Sequence, residues 1–85
     1  MPKVTIYTSS YCPYCISAKR LLDKKGVKYE EISVDGRSAV RAEMTAKAGG
    51  RYTVPQIWIG GQHIGGCDDL YALEDAGRLE PLLVV

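Results

Sequence analysis

Apolar and polar residues alternate from the start of the chain. Between Lys3 and Thr8, Val4 and Ile6 are interleaved with Thr5 and Tyr7, and the β-branched content predicts a first strand. Ser9-Ser10-Tyr11 then forms a short polar connection, after which the period changes. Cys15, Ala18, Leu21 and Leu22 recur at helical spacing, while Ser17, Lys19, Arg20, Asp23 and Lys24 fill the opposite face. Pro13 suits the first helical position, where a helix leaves its N–H unpaired anyway, and Gly26 suits the place just past the end. These signals predict a helix over Pro13–Lys25.

Tyr29–Val34 predicts a second strand, whose facing is left open because Glu31 and Ile32 break the alternation. Asp35-Gly36 is a turn signal, and Val40, Met44 and Ala48 mark one face of a helix that stops at Gly49-Gly50. Gln56–Ile59 and Gln62–Ile64 flank Gly60-Gly61, the pattern of a β-hairpin. Asp68 is expected to cap a last helix, which carries Leu70 and Leu73 and closes at Gly77. The order is βαβ, then α, ββ and α. A βαβ unit requires a parallel pair with a right-handed crossover, and a hairpin is antiparallel. The fold class is therefore α/β, a four-stranded mixed sheet flanked by three helices. With 85 residues, positions 1–85 are expected to make one domain around a single thin core.

Hydrophobic residues at 46% and charged residues at 25% are ordinary for a globular chain. Eleven Lys and Arg face ten Asp and Glu, a net charge of +1, which argues against nucleic acid as the partner. No apolar run approaches the roughly 18 residues a membrane span needs, and Met1-Pro2-Lys3-Val4 carries no apolar export segment. The expectation is a cytoplasmic protein without a membrane partner.

Three cysteines redirect the reading. An odd number without an export signal fits a secreted disulfide framework poorly. Two of them form Cys12-Pro13-Tyr14-Cys15, with Cys12 directly before a helix start. Unpaired N–H groups and the positive end of the helix dipole favour an anion there, and the thiolate is the form that attacks disulfides. Cys15, one turn on, lies on the same face and is placed to attack a mixed disulfide formed on Cys12. A strand, a CxxC pair and a helix make the pattern of a thioredoxin-like redox motif. The competing reading is structural zinc: His63 and Cys67 have ligand-like spacing and, with Cys12 and Cys15, complete a four-ligand set. The long separation of the two halves, and the place of His63 in an alternating strand, argue against it.

The strand, Cys-Pro-Tyr-Cys, the helix, Thr53-Val54-Pro55 and Gly65-Gly66-Cys67-Asp68-Asp69, in that order, resemble a bacterial dithiol glutaredoxin. The likeness extends over essentially the whole chain. It implies a thioredoxin-like fold that reduces protein disulfides and glutathione mixed disulfides, with glutathione as reductant and no tightly bound cofactor or metal. It further implies a monomer whose partners are glutathione and disulfide-bonded or glutathionylated proteins. On that resemblance Cys12 is the nucleophile, Cys15 the resolving thiol, and Tyr14 an aromatic beside bound glutathione. Val54 pairs its backbone with the cysteinyl part, Pro55 is a cis-proline facing the site, and Thr53 lies on the rim. Cys67 and Asp68 hold the γ-glutamyl end, the first N–H groups of the last helix taking its carboxylate and Asp68 its amine. The family uses a basic residue three before the nucleophile for the glycyl carboxylate, but Ser9 stands there. Arg41 is the candidate replacement, with Arg51 or Arg37 behind it. Two other functions share the motif: a redoxin served by a flavin-dependent thioredoxin reductase, and a glutathione-ligated iron–sulfur carrier. Thr53-Val54-Pro55 with the Gly-Gly-Cys-Asp-Asp run counts against the first, and Pro13 against the second.

Overall fold

The computed structural model describes residues 2–84. In chain order the elements are β1 (Val4–Thr8), α1 (Pro13–Lys24), β2 (Tyr29–Ser33), α2 (Ser38–Lys47), β3 (Gln56–Ile59), β4 (Gln62–Gly65), α3 (Cys67–Asp75) and α4 (Leu79–Leu83). The strands form one mixed sheet in the order β2-β1-β3-β4. β1 runs parallel to β2, with Ile6 opposite Glu31, and antiparallel to β3, with Ile6 opposite Ile57. β3 and β4 form the expected antiparallel hairpin, with an irregularity between Ile57 and Trp58.

Alternation along the strands builds two cores. Val4, Ile6, Ile57 and Ile59 meet Ala18, Leu21 and Leu22 of α1 and Leu70 of α3 on one face. On the other, Tyr7 and Val34 meet Met44 of α2, with Ile32, Val40 and Trp58 packed around them. β2 is an edge strand, which explains its broken pattern. Ile32 supports the α2 side, whereas Tyr29 packs on the α1 side and the Glu31 carboxylate bonds Lys19 there.

Two expectations need correction. The helices number four among the described residues, not three: Leu79 and Leu83 of α4 are buried, but five residues are too few to display a helical period. The cap of α3 is Gly66, not Asp68, and Asp68 is the helix's second residue. The reason lies in spacing. A carboxylate three positions past the cap can reach back to the cap's N–H, and Asp69 does so at 2.9 Å. Asp68 is left exposed on the first turn.

Candidate active site

Cys12 is itself the cap of α1, in extended conformation, and its sulfur accepts the Cys15 backbone N–H at 3.2 Å. A thiol at this position takes the part that a Ser or Asp oxygen usually plays, satisfying an N–H that the helix start leaves open. Tyr11 is turned into the left-handed region at φ 59, with its ring wholly exposed. Across the cleft, the Cys12 thiol lies 3.8 Å from the Val54 carbonyl oxygen, next to the cis Val54-Pro55 bond.

The two thiols of the motif have unlike surroundings. Cys12 is partly exposed, whereas Cys15 is buried at 1% exposure against the first core. Burial, reinforced by the Cys12 sulfur, pushes the Cys15 thiol up to about 12, with a backbone contact to Ser9 and the Lys19 ammonium pulling the other way. One thiol is accessible for attack from outside, and the other is held in reserve beneath it.

A groove of about 260 Å³ opens beside Val54, lined by Tyr14, Arg51, Thr53, Val54, Pro55 and the stretch Gly66–Asp69. Tyr14, Thr53, Val54, Pro55, Cys67 and Asp68, far apart in the chain, thus share one surface. Arg41 stands elsewhere, in a depression with Ser9, Asp35 and Arg37. Cys67 is buried at the first position of α3, and burial, followed by the nearby Asp68 and Cys12, raises its thiol.

Two polar networks around the groove were not anticipated from sequence. Arg51 donates to Asp69 at 3.0 Å, and Asp69 also accepts the Gly66 N–H, so the groove's α3 end is tied down. Gly65, at φ +116, leaves the room: a Cβ there would fall on the Asp69 carboxylate and 2.7 Å from the Arg51 guanidinium. The three-residue spacing from Gly66 to Asp69 was the available signal. The second network begins at Gln56, which is fully buried. Its amide nitrogen donates to the Thr53 carbonyl at 3.0 Å and its oxygen meets His63 Nε2 at 2.7 Å. Because that oxygen only accepts, His63 carries its proton on Nε2. His63 also packs on Trp58, with ring centroids 4.7 Å apart. Among the described residues no group of three or more His, Cys, Asp or Glu is arranged to hold a metal.

Comparison with known proteins agrees with this geometry. The family model described as Glutaredoxin matches residues 4–64. The chain is 61% identical over 83 residues to the glutaredoxin of Pseudomonas aeruginosa, covering 98% of each chain. It is 59% identical over 83 residues to glutaredoxin 3 of Escherichia coli K12, covering 98% of this chain and 99% of that one. Among solved structures, the solution structure of glutaredoxin from Brucella melitensis superposes with a TM-score of 0.86 at 54% identity, over 98% of this chain and 89% of that one. A buckwheat glutaredoxin–glutathione complex superposes with a TM-score of 0.88 at 35% identity, over 96% and 76%. With a thioredoxin-like fold and a paired thiol at the head of α1, the chain belongs to the glutaredoxin family of thiol–disulfide oxidoreductases.

Proposed function

We propose that the chain reduces protein disulfides and glutathione mixed disulfides with glutathione as reductant, acting as a cytoplasmic monomer and one functional unit. The Cys12 thiolate attacks a substrate sulfur, a new S–S bond forms to Cys12, and the substrate's other sulfur leaves as a thiolate. When the adduct is glutathione, a second glutathione thiolate attacks it, releasing oxidised glutathione and the Cys12 thiolate. When the adduct is a protein, Cys15 attacks instead, closing the Cys12–Cys15 disulfide and expelling the protein thiol. Two glutathiones then restore the dithiol and leave as their disulfide.

The groove matches the chemistry of such a tripeptide, which carries two carboxylates and one amine. Tyr14 and Thr53 form its sides, Val54 offers backbone N–H and C=O to the cysteinyl part, and Pro55 backs it. The N-terminus of α3 at Cys67 takes the γ-glutamyl carboxylate and Asp68 its amine. Arg41 is assigned the glycyl carboxylate because it shares its depression with Ser9, the position three before the nucleophile. The observation that carries this reading is the placement of the Cys12 thiol 3.8 Å from Val54, itself a wall of the groove.

The test is turnover of a glutathione mixed disulfide, coupled through glutathione reductase. Cys12→Ser is expected to abolish it. Cys15→Ser keeps deglutathionylation but accumulates covalent complexes with disulfide-bonded protein substrates, and Asp68→Ala raises the KM for glutathione several-fold. Turnover sustained by thioredoxin reductase but not by glutathione would overturn the proposal.

A further inference from the structure

A charged cluster lies behind the buried thiol. Thr8, Cys12, Cys15, Lys19 and Glu31 line one open depression, together with Tyr11 and Ile16, and it shares no lining residue with the groove beside Val54. Lys19 follows Cys15 by four residues, so the two side chains occupy the same face of α1 one turn apart. Glu31 Oε2 accepts from Lys19 Nζ at 3.0 Å and from Thr8 Oγ1 at 2.7 Å. Neither partner is fully in water: the Lys19 side chain is 29% exposed and that of Glu31 39%. A long, mobile lysine is thereby anchored beside a thiol that must ionise to act.

We infer that Lys19 is a positioning residue for the resolving step, its ammonium, anchored by Glu31 and Thr8, favouring the Cys15 thiolate as that thiolate attacks the mixed disulfide on Cys12. The inference rests on the roles proposed above for Cys12 and Cys15. In the step, the Cys15 thiol gives its proton to water in the depression. The sulfur electron pair makes the Cys15–Cys12 bond, the bond from Cys12 to the substrate sulfur breaks, and the substrate leaves as a thiolate that solvent protonates. In this step the Cys15 sulfur is oxidised and the departing substrate sulfur reduced; over attack and closure together the two protein thiols are oxidised and the substrate disulfide is reduced.

The surroundings favour Lys19 for this part. Cys15 is faced by Cys12, whose sulfur opposes ionisation, and by the Ser9 backbone and Lys19, which promote it. Tyr29 and Glu31, both on β2, face Lys19, and hydrogen bonding to Glu31 keeps the lysine firmly protonated. Glu31 is unsuited to take the Cys15 proton, because the Thr8 hydroxyl and then Lys19 hold its carboxyl below the usual range. An ammonium keeps three donors, so the bond to Glu31 does not exhaust it.

A symmetrical nitrothiobenzoate disulfide separates the steps, in a Cys67→Ala background that leaves two thiols to report. Attack by Cys12 releases one coloured thiolate, and closure by Cys15 releases the second, both followed by stopped-flow absorbance. Loss of the lysine charge lowers the thiolate fraction of Cys15, while the more basic sulfur recovers part of the rate. Lys19→Met is therefore expected to slow the second release about threefold relative to the first across pH 6–8, by this balance. Lys19→Arg should restore it, and molar salt should shrink the wild-type advantage by screening. Equal ratios for wild type and Lys19→Met, a deficit unmoved by salt, or failure of Lys19→Arg to rescue would overturn the inference, as would equal slowing of both releases, the mark of a general structural defect. If the second release persists in Cys15→Ser, the resolving role itself is wrong. If Cys15→Ser stops it while Lys19→Met does not slow it, only the part assigned to Lys19 fails.

Discussion

Asp69 ties the start of α3 to the groove, and its removal tests how the site is held. The carboxylate accepts the N–H of buried Gly66 at 2.9 Å and pairs with Arg51 at 3.0 Å. Asp69→Ala leaves that N–H without its acceptor, which costs about 1–2 kcal/mol. The ion pair adds little: the two side chains are 48% and 45% exposed, and pairs so open to solvent contribute about 0.5 kcal/mol. The expected loss is about 2 kcal/mol, or about 10 °C in Tm for a domain of this size. Asp69→Asn keeps an acceptor without the charge and should lose about half as much. Bonding to Gly66 and then to Arg51 depresses the folded-state value of this carboxyl below the ordinary 3.8. The part that depends on its charge is therefore complete above the unfolded value and lost as the pH falls through the folded one. Urea unfolding of wild type and Asp69→Ala should show a constant gap from pH 7 to about pH 5, narrowing in stronger acid toward the part a neutral acceptor keeps. The KM for glutathione should rise in parallel, because Gly66 leads directly into Cys67 and Asp68. A loss under about 0.5 kcal/mol, below what an unsatisfied buried N–H costs, would refute the capping argument. A gap that persists unchanged in strong acid would refute the charge argument.

The remaining expectations concern single contacts. Tyr71→Phe removes the 2.9 Å hydrogen bond from the phenol to the Ser17 carbonyl, which joins α3 to α1, and should cost about 1 kcal/mol in urea unfolding. Gly65→Ala should cost more, since φ +116 suits no L side chain and the new Cβ displaces Asp69 and Arg51; a wild-type melting curve would contradict the loop geometry. In Cys12→Ser, iodoacetamide labelling of Cys15 followed by mass spectrometry should show a midpoint below about 12 but above the ordinary 9.0, because burial persists when the Cys12 sulfur is gone. A midpoint at or under the ordinary value would show that burial is not the main cause.

Much of the architecture was legible because it depends on local periodicity. Val4 and Ile6, or Ala18, Leu21 and Leu22, declare a buried face by spacing alone, and the helix start at Pro13 follows from ring geometry. β2 was harder because an edge strand has one apolar face, and Glu31 occupies the other only because Lys19 and Thr8 receive it. α4 escaped because Leu79 and Leu83 are buried by contact with the rest of the first core, not by a pattern visible in five residues.

The sequence by itself determined the order of the elements from β1 to α3, the mixed sheet, and the placing of Cys12 at a helix start with Cys15 a turn behind. Those follow from short-range rules of backbone geometry and amphipathic spacing. The tertiary structure decided what no local rule contains: which arginine pairs with Asp69, which aspartate caps α3, and which polar side chains meet behind the thiols. Arg51 and Arg41 are equally basic in sequence, but the strand order and the turn at Gly65-Gly66 bring only Arg51 against Asp69. Likewise Lys19, Glu31 and Thr8 converge because β1 and β2 pair in parallel under α1. A hydrogen bond acts over about 3 Å, so its partners are chosen only once the whole chain has packed.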